Sequence, residues 1–135
     1  MKRGSFIDNR GICWDTNTTD HEGWIGKRSK WLGEWRNRYF LLIGARLFYA
    51  KDETATPHGL IDLLDCISIK AVNNTIEKGY MIEMKLKTKS FHILVQTIEE
   101  QNQWLDAINQ SLQKNSAINL WNGQTTTNFT SLSIT

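Results

Sequence analysis

The sequence predicts a mainly β domain, an antiparallel sandwich or barrel closed by one C-terminal helix. Three observations lead there. Seven short strand-like runs follow one another at close, regular spacing. After residue 96 the apolar period changes from that of a strand to that of a helix. Strands and helices do not alternate as they would in a parallel α/β sheet. The 135-residue chain has room for one domain. With 40% hydrophobic residues, six Trp, three Tyr and five Phe, it can bury a core.

Residues 1–20 are polar without sustained periodicity and are expected to be a flexible extension. Trp24-Ile25-Gly26-Lys27 is a short apolar run, and Trp35 to Ile43 is rich in aromatic and branched residues. Gly44-Ala45 makes a turn into Arg46-Leu47-Phe48-Tyr49-Ala50. Gly59 to Leu63 and Cys66 to Val72 follow. In Tyr80 to Leu86, the residues Tyr80, Ile82, Met84 and Leu86 share one parity and hence one face. Lys87-Thr88-Lys89 is a hairpin-length link to the last run, Ser90 to Val95.

Thr97-Ile98-Glu99-Glu100 then reads as a capping box, in which the Thr hydroxyl satisfies a first-turn amide and Glu100 reaches back. Trp104, Leu105, Ile108 and Leu112 form a helical stripe, opposite Gln101, Asn102, Asp106, Asn109, Gln110 and Gln113. A helix of about four turns results, and an open barrel end is the natural object for its stripe. Residues 115–135 are rich in Asn and Thr without a pattern and are expected to be a flexible tail. The domain therefore spans 21–114.

Several classes are excluded. No segment is long and apolar enough to cross a membrane as a helix. The basic start Met1-Lys2-Arg3 leads into no apolar stretch, so no secretory leader is expected, and no Met-Gly start for myristoylation. Cys13 and Cys66 are distant in sequence, and His21, His58 and His92 are scattered; free thiols and no metal or other cofactor are expected. Phosphate-binding glycine motifs, a nucleophile elbow and metalloprotease motifs are absent, so the domain is not expected to be an enzyme.

The net charge of +2 is unevenly distributed. Between residues 27 and 38 the bases Lys27, Arg28, Lys30, Arg36 and Arg38 face one acid, Glu34. Lys85, Lys87 and Lys89 form a second basic group. Arg36 and Arg38 share parity, and a connection back to the preceding strand puts Lys27 beside them. Like charges repel, so three converging cations point to an anionic ligand, against the alternative of a solvated basic loop. Arg forks take phosphate oxygens in pairs and Lys acts as a point charge. Two readings stand for Trp31-Leu32 in the same loop: an exposed apolar tip that enters a bilayer interface, or a side chain folded back on the domain.

With Glu22-Gly23-Trp24-Ile25-Gly26-Lys27, Trp35-Arg36-Asn37-Arg38-Tyr39-Phe40-Leu41-Leu42, Leu47-Phe48-Tyr49, Pro57-His58-Gly59-Leu60-Ile61 and Trp104, the chain resembles the pleckstrin homology (PH) domain over 21–114. Its first strands are similar to those of protein kinase B and of the trisphosphate-binding Arf exchange factors. The resemblance implies a seven-stranded, strongly bent antiparallel barrel capped by one C-terminal α-helix. It also implies a phosphoinositide site in which Lys27 and Arg38 grip ring phosphates, Arg36 and the Tyr49 hydroxyl contact phosphate, Arg28 and Lys30 line the facing loop and Lys89 supports them. His58 stands where the exchange factors carry Arg, which implies a pH-dependent partner for phosphate. The link at 87–89 is too short for the insert those factors carry after the sixth strand.

The function expected is that of a non-catalytic module, monomeric and cytoplasmic, recruited to phosphoinositide-containing membranes, with Trp31 and Leu32 touching the bilayer. The alternative is a protein-interaction module of the same fold with weak or no lipid specificity. Aromatics interleaved with bases at 27–40 raise single-stranded nucleic acid as a rival, but that needs a stacking platform too, and no nucleic-acid partner is expected.

Overall fold

The computed structural model describes residues 4–8, 10–28, 34–73 and 79–121, with side chains described as far as residue 114. Nine strands and one α-helix are formed among these residues. A two-stranded hairpin, β1 (Ser5–Ile7) and β2 (Cys13–Asp15), precedes the main sheet. The main sheet contains β3 (His21–Arg28), β4 (Arg36–Ile43), β5 (Arg46–Ala50), β6 (Gly59–Asp62), β7 (Ser68–Val72), β8 (Tyr80–Lys85) and β9 (Ser90–Val95). The helix α1 runs Ile98–Trp121.

The seven strands of the main sheet pair in the order β6-β5-β4-β3-β9-β8-β7, every neighbour antiparallel. β3 is the hinge of this arrangement. Residues 21–27 pair with β4, whereas Gly26–Arg28 also pair with β9. One strand shared near its end folds the sheet on itself, so the inner faces of both halves meet. Ile25, Phe40, Leu42, Leu47 and Ile61 from one half pack with Ile69, Ile82, Met84, Phe91 and Ile93 from the other in a single buried cluster. Alternation makes this possible, since every second side chain of each strand points inward. Gly44, at a positive φ of 60°, tightens the β4–β5 turn and donates its N–H to Asp20 at 3.0 Å. The expected Cys66–Val72 run starts later, because Leu63–Asp65 closes into a 3-10 turn capped by the Asp62 carboxylate.

The helix closes the barrel by the stripe read from the sequence. Trp104, Leu105, Ile108 and Leu112 are all buried in the same cluster. At the N-terminus, Thr97 Oγ1 accepts the Glu100 N–H at 3.1 Å, and the hydroxyl donates to the Glu100 carboxylate at 3.3 Å. Gln101 departs from the expected polar face. It is buried, and its Nε2 donates to Asn73 Oδ1 at 2.7 Å and to the Met81 carbonyl at 2.9 Å. A buried amide with partners pins the helix start to β8 without an unsatisfied group. The helix continues past residue 114, into the stretch expected to be tail.

Residues 1–20 were also expected to lack structure, yet β1 and β2 form an ordered hairpin on the outer face of the sheet. Phe6 and Trp14 pack edge-on against Phe48, with centroids 5.3 and 4.9 Å away, in a second cluster with Tyr39 and Leu41. Two strands of three residues each cannot hold together alone. Packing on Phe48, a contact distant in sequence, supplies what local pattern lacks.

Candidate functional site

The register of the sheet decides which bases meet. Lys27 lies opposite Arg36, Ile25 opposite Arg38, and Phe40 opposite Tyr49. Residues opposite one another in an antiparallel pair share a face. Ile25 and Phe40 are core, so Lys27, Arg36, Arg38 and Tyr49 also point inward, but at the end where the barrel opens. There they line a cleft of about 280 Å³ with Glu34 and His58. Glu34 stands 3.9 Å from Arg36, an exposed ion pair that contributes little.

Lys27 is the centre of the cluster. Its ammonium sits over the Tyr49 ring at 4.6 Å and near the Phe91 ring at 5.3 Å. Burial pulls its pKa below the ordinary lysine value, and the nearby charges of Arg38, Lys89 and Arg36 pull it the same way. Lys89 reaches the site from the β8–β9 turn, with its ammonium 5.1 Å from the Phe91 ring. Burial raises the Tyr49 phenol, with Arg38 opposing, so Tyr49 keeps its proton and can donate.

Gly59 places Tyr49. A Cβ at position 59 would lie 2.0 Å from Tyr49 Cζ and 2.4 Å from its hydroxyl, so the ring occupies space that only glycine leaves open. The preceding His58 donates its backbone N–H to the Tyr49 carbonyl at 3.0 Å and sets its imidazole edge-on to the Tyr49 ring at 5.3 Å. Burial lowers the His58 pKa, as do Arg38, Lys27 and Lys51.

Thus six of the predicted residues, Lys27, Arg36, Arg38, Tyr49, His58 and Lys89, come together. Arg28 does not. It follows Lys27 directly and so points to the outer face, where its guanidinium stacks over Trp35 at 4.5 Å and it pairs in register with His92. His92 in turn lies 3.2 Å from Glu83, and Glu83 3.8 Å from Lys70, so Arg28 heads a row across the outside of the sheet. Lys30, Trp31 and Leu32 lie outside the described residues. Lys51 was missed, although its place immediately after the β5 strand, on the mouth side, was the available signal.

The chemistry on offer is electrostatic. Arg36 and Arg38 present planar forks, Lys27 and Lys89 point charges and Tyr49 a hydroxyl, all toward one partly desolvated space. Such a space suits a compact polyanion. Cys66, in the core, is no nucleophile: burial and then Asp62 and Asp65 push its thiol up to about 12.

Known proteins share this architecture. The family model for the PH domain matches residues 19–113. Pleckstrin homology domain-containing protein 1 of Arabidopsis thaliana is 26% identical over 115 residues, covering 81% of this chain and 79% of its own length. A PH domain-containing protein of Dictyostelium discoideum is 34% identical over 98 residues, 70% of this chain, and the chain spans only 21% of it. Among solved structures, the C-terminal PH domain of pleckstrin in complex with D-myo-Ins(1,2,3,4,5)P5 superimposes with a TM-score of 0.56 at 22% identity, over 70% of this chain and 98% of that one.

Proposed function

The chain belongs to the PH domain family, a family of non-catalytic modules that often bind phosphoinositides or proteins, and on that premise we propose that its basic mouth binds a phosphoinositide headgroup and so recruits the protein from the cytoplasm to a membrane surface. One observation carries this reading. Lys27, Arg36 and Arg38 line one cleft of about 280 Å³, and burial, with Arg38, Lys89 and Arg36 close by, depresses the Lys27 pKa there. A bound polyphosphate relieves that repulsion and replaces the water lost by Lys27. The pleckstrin domain bound to an inositol pentakisphosphate shares the fold and supports the same ligand class.

In this reading Arg36 and Arg38 clamp phosphate oxygens in pairs. Lys27 meets the ligand inside the cleft and Lys89 adds its charge from the β8–β9 turn, the Tyr49 hydroxyl donates one neutral hydrogen bond, and His58 adds a further cation once protonated. Vesicle co-sedimentation with and without each phosphoinositide tests it. Arg38→Ala should abolish the phosphoinositide-dependent fraction, since a charged hydrogen bond contributes about 1.5–3 kcal/mol and the Arg38 fork would make two in this reading. If wild-type and Arg38→Ala sediment alike, the mouth is not the site. Binding of a protein partner that survives the same substitution would favour the interaction-module alternative.

A further inference from the structure

The β1–β2 hairpin lies before residues 19–113 and so outside the part of the chain that the family model describes. It is nevertheless tightly organised. The Asp8 carboxylate accepts the backbone N–H of Arg10 at 2.8 Å and of Ile12 at 3.0 Å, the Arg10 guanidinium at 2.9 Å and the Trp14 indole N–H at 2.9 Å. Burial pushes the Asp8 carboxyl up, but these hydrogen bonds from Trp14, Ile12 and Arg10 outweigh it and hold the carboxyl well below the usual range. Phe6 and Trp14 anchor the hairpin to Phe48.

With Phe6 turned inward, alternation turns Ile7 outward, and it is 68% exposed. Ile12, whose carbonyl accepts the Asp8 N–H at 2.9 Å, is 43% exposed. A built and anchored turn thus displays two isoleucines to water. Its position is specific. Ile7 and Asp8 share a cleft of about 210 Å³ with Pro57, His58, Gly59 and Leu60, and His58 is at the same time a wall of the basic mouth. Ile7 therefore stands on the rim of the mouth, on its β6 side, and Ile12 lies across the hairpin from Asp8 at the same tip.

We infer that the hairpin tip is a second bilayer contact, in which Ile7 and Ile12 enter the boundary between headgroups and acyl chains while Arg10 stays at phosphate level. The inference rests on the headgroup reading above, because a lipid headgroup in the mouth lays the membrane surface across its rim. Apolar side chains at that depth gain from burial, while Arg10, ion-paired with Asp8 at 2.9 Å, keeps the polar part of the tip neutral as a unit among the headgroups. The rim contact also divides the labour: the mouth selects the headgroup, and the hairpin adds affinity that only a membrane can supply.

Two ligands separate the two ideas. Soluble inositol hexakisphosphate, followed by calorimetry, reports on the mouth alone. Vesicles of phosphatidylcholine with phosphatidylserine and a phosphatidylinositol trisphosphate report on mouth and rim. Ile7→Asn with Ile12→Asn should leave soluble affinity within about twofold and weaken vesicle binding roughly tenfold. Ile7→Leu with Ile12→Leu should keep both. Ile98→Asn, an exposed isoleucine at the far end of the barrel where α1 begins, should change neither. Ile7→Thr, which keeps a β-branched side chain, repeats the test if the doubly substituted hairpin melts early. Unchanged vesicle affinity with intact soluble binding overturns the rim contact and spares the mouth. An equal loss with Ile98→Asn also overturns it. Absence of soluble binding in the wild type overturns the headgroup reading, and the rim contact with it.

Discussion

Replacing Lys27 with Met separates binding from folding. Lys27 is half buried, and burial together with Arg38, Lys89 and Arg36 disfavours its charge. Folding thus holds an ammonium where it is least comfortable, as functional sites do. Met keeps the volume of the stem against Tyr49 and Phe91, 4.6 and 5.3 Å from the ammonium, and removes only the charge. The cation–π attraction lost is worth about 0.5–1 kcal/mol. Relief of three repulsions and of partial desolvation acts in the opposite direction. The net change in stability should lie within about 1 kcal/mol of zero, a shift in Tm of about 4 °C or less. A charge-assisted hydrogen bond to phosphate is worth about 1.5–3 kcal/mol, so affinity for inositol hexakisphosphate should fall roughly 10- to 150-fold. Thermal melting and calorimetry on the same preparations measure both. A large drop in Tm would make Lys27 a structural residue, and unchanged affinity would remove it from the site; either result refutes the reasoning.

Other outcomes follow from neighbouring features. Gly59→Ala forces a Cβ into the Tyr49 ring, so we expect about 1–3 kcal/mol of destabilisation by denaturant unfolding together with weaker headgroup binding. Trp104→Ala empties the core contact between α1 and the barrel, where Trp104 is 2% exposed, and should cost about 3–5 kcal/mol in the same assay. His58 is held below its ordinary pKa by burial and by Arg38, Lys27 and Lys51, and a bound phosphate would raise it. The complex then holds more protons than the free protein, so affinity should rise as pH falls from about 7 to about 5, and His58→Gln should flatten that rise in calorimetric titrations. The sign reverses for folding. Burial lowers His21 too, with Glu22 opposing, so below about pH 6.5 the unfolded chain binds more protons and stability should decline as pH falls through that value.

Most of the barrel was legible because local pattern and tertiary environment agree there. In Tyr80 to Lys85 the same-parity Ile82 and Met84 are fully buried, and Trp104, Leu105, Ile108 and Leu112 recur at helical spacing and are buried. The convergence of Lys27, Arg36 and Arg38 was legible from the parity of the two arginines and the connection that brings Lys27 beside them. Parity also separates Arg28 from Lys27, as adjacent strand residues must point apart, and it was the sign overlooked in placing both in one site. Gln101 sits three positions before Trp104, on the apolar stripe, so its burial was visible in the spacing and hidden only by its polarity. The hairpin was not legible. Its strands have three residues each, its turn depends on side-chain bonds to Asp8, and its stability comes from Phe48, a contact that no local window contains.

The mouth itself is tested most directly by following backbone amide shifts while inositol hexakisphosphate is titrated into the wild-type chain. We expect saturable changes concentrated at Lys27, Arg36, Arg38, Tyr49, His58 and Lys89, with the strand β7 and the helix α1 unmoved. Saturable changes along β7 or along α1, or no change at any ligand concentration, would contradict a headgroup site in the basic mouth.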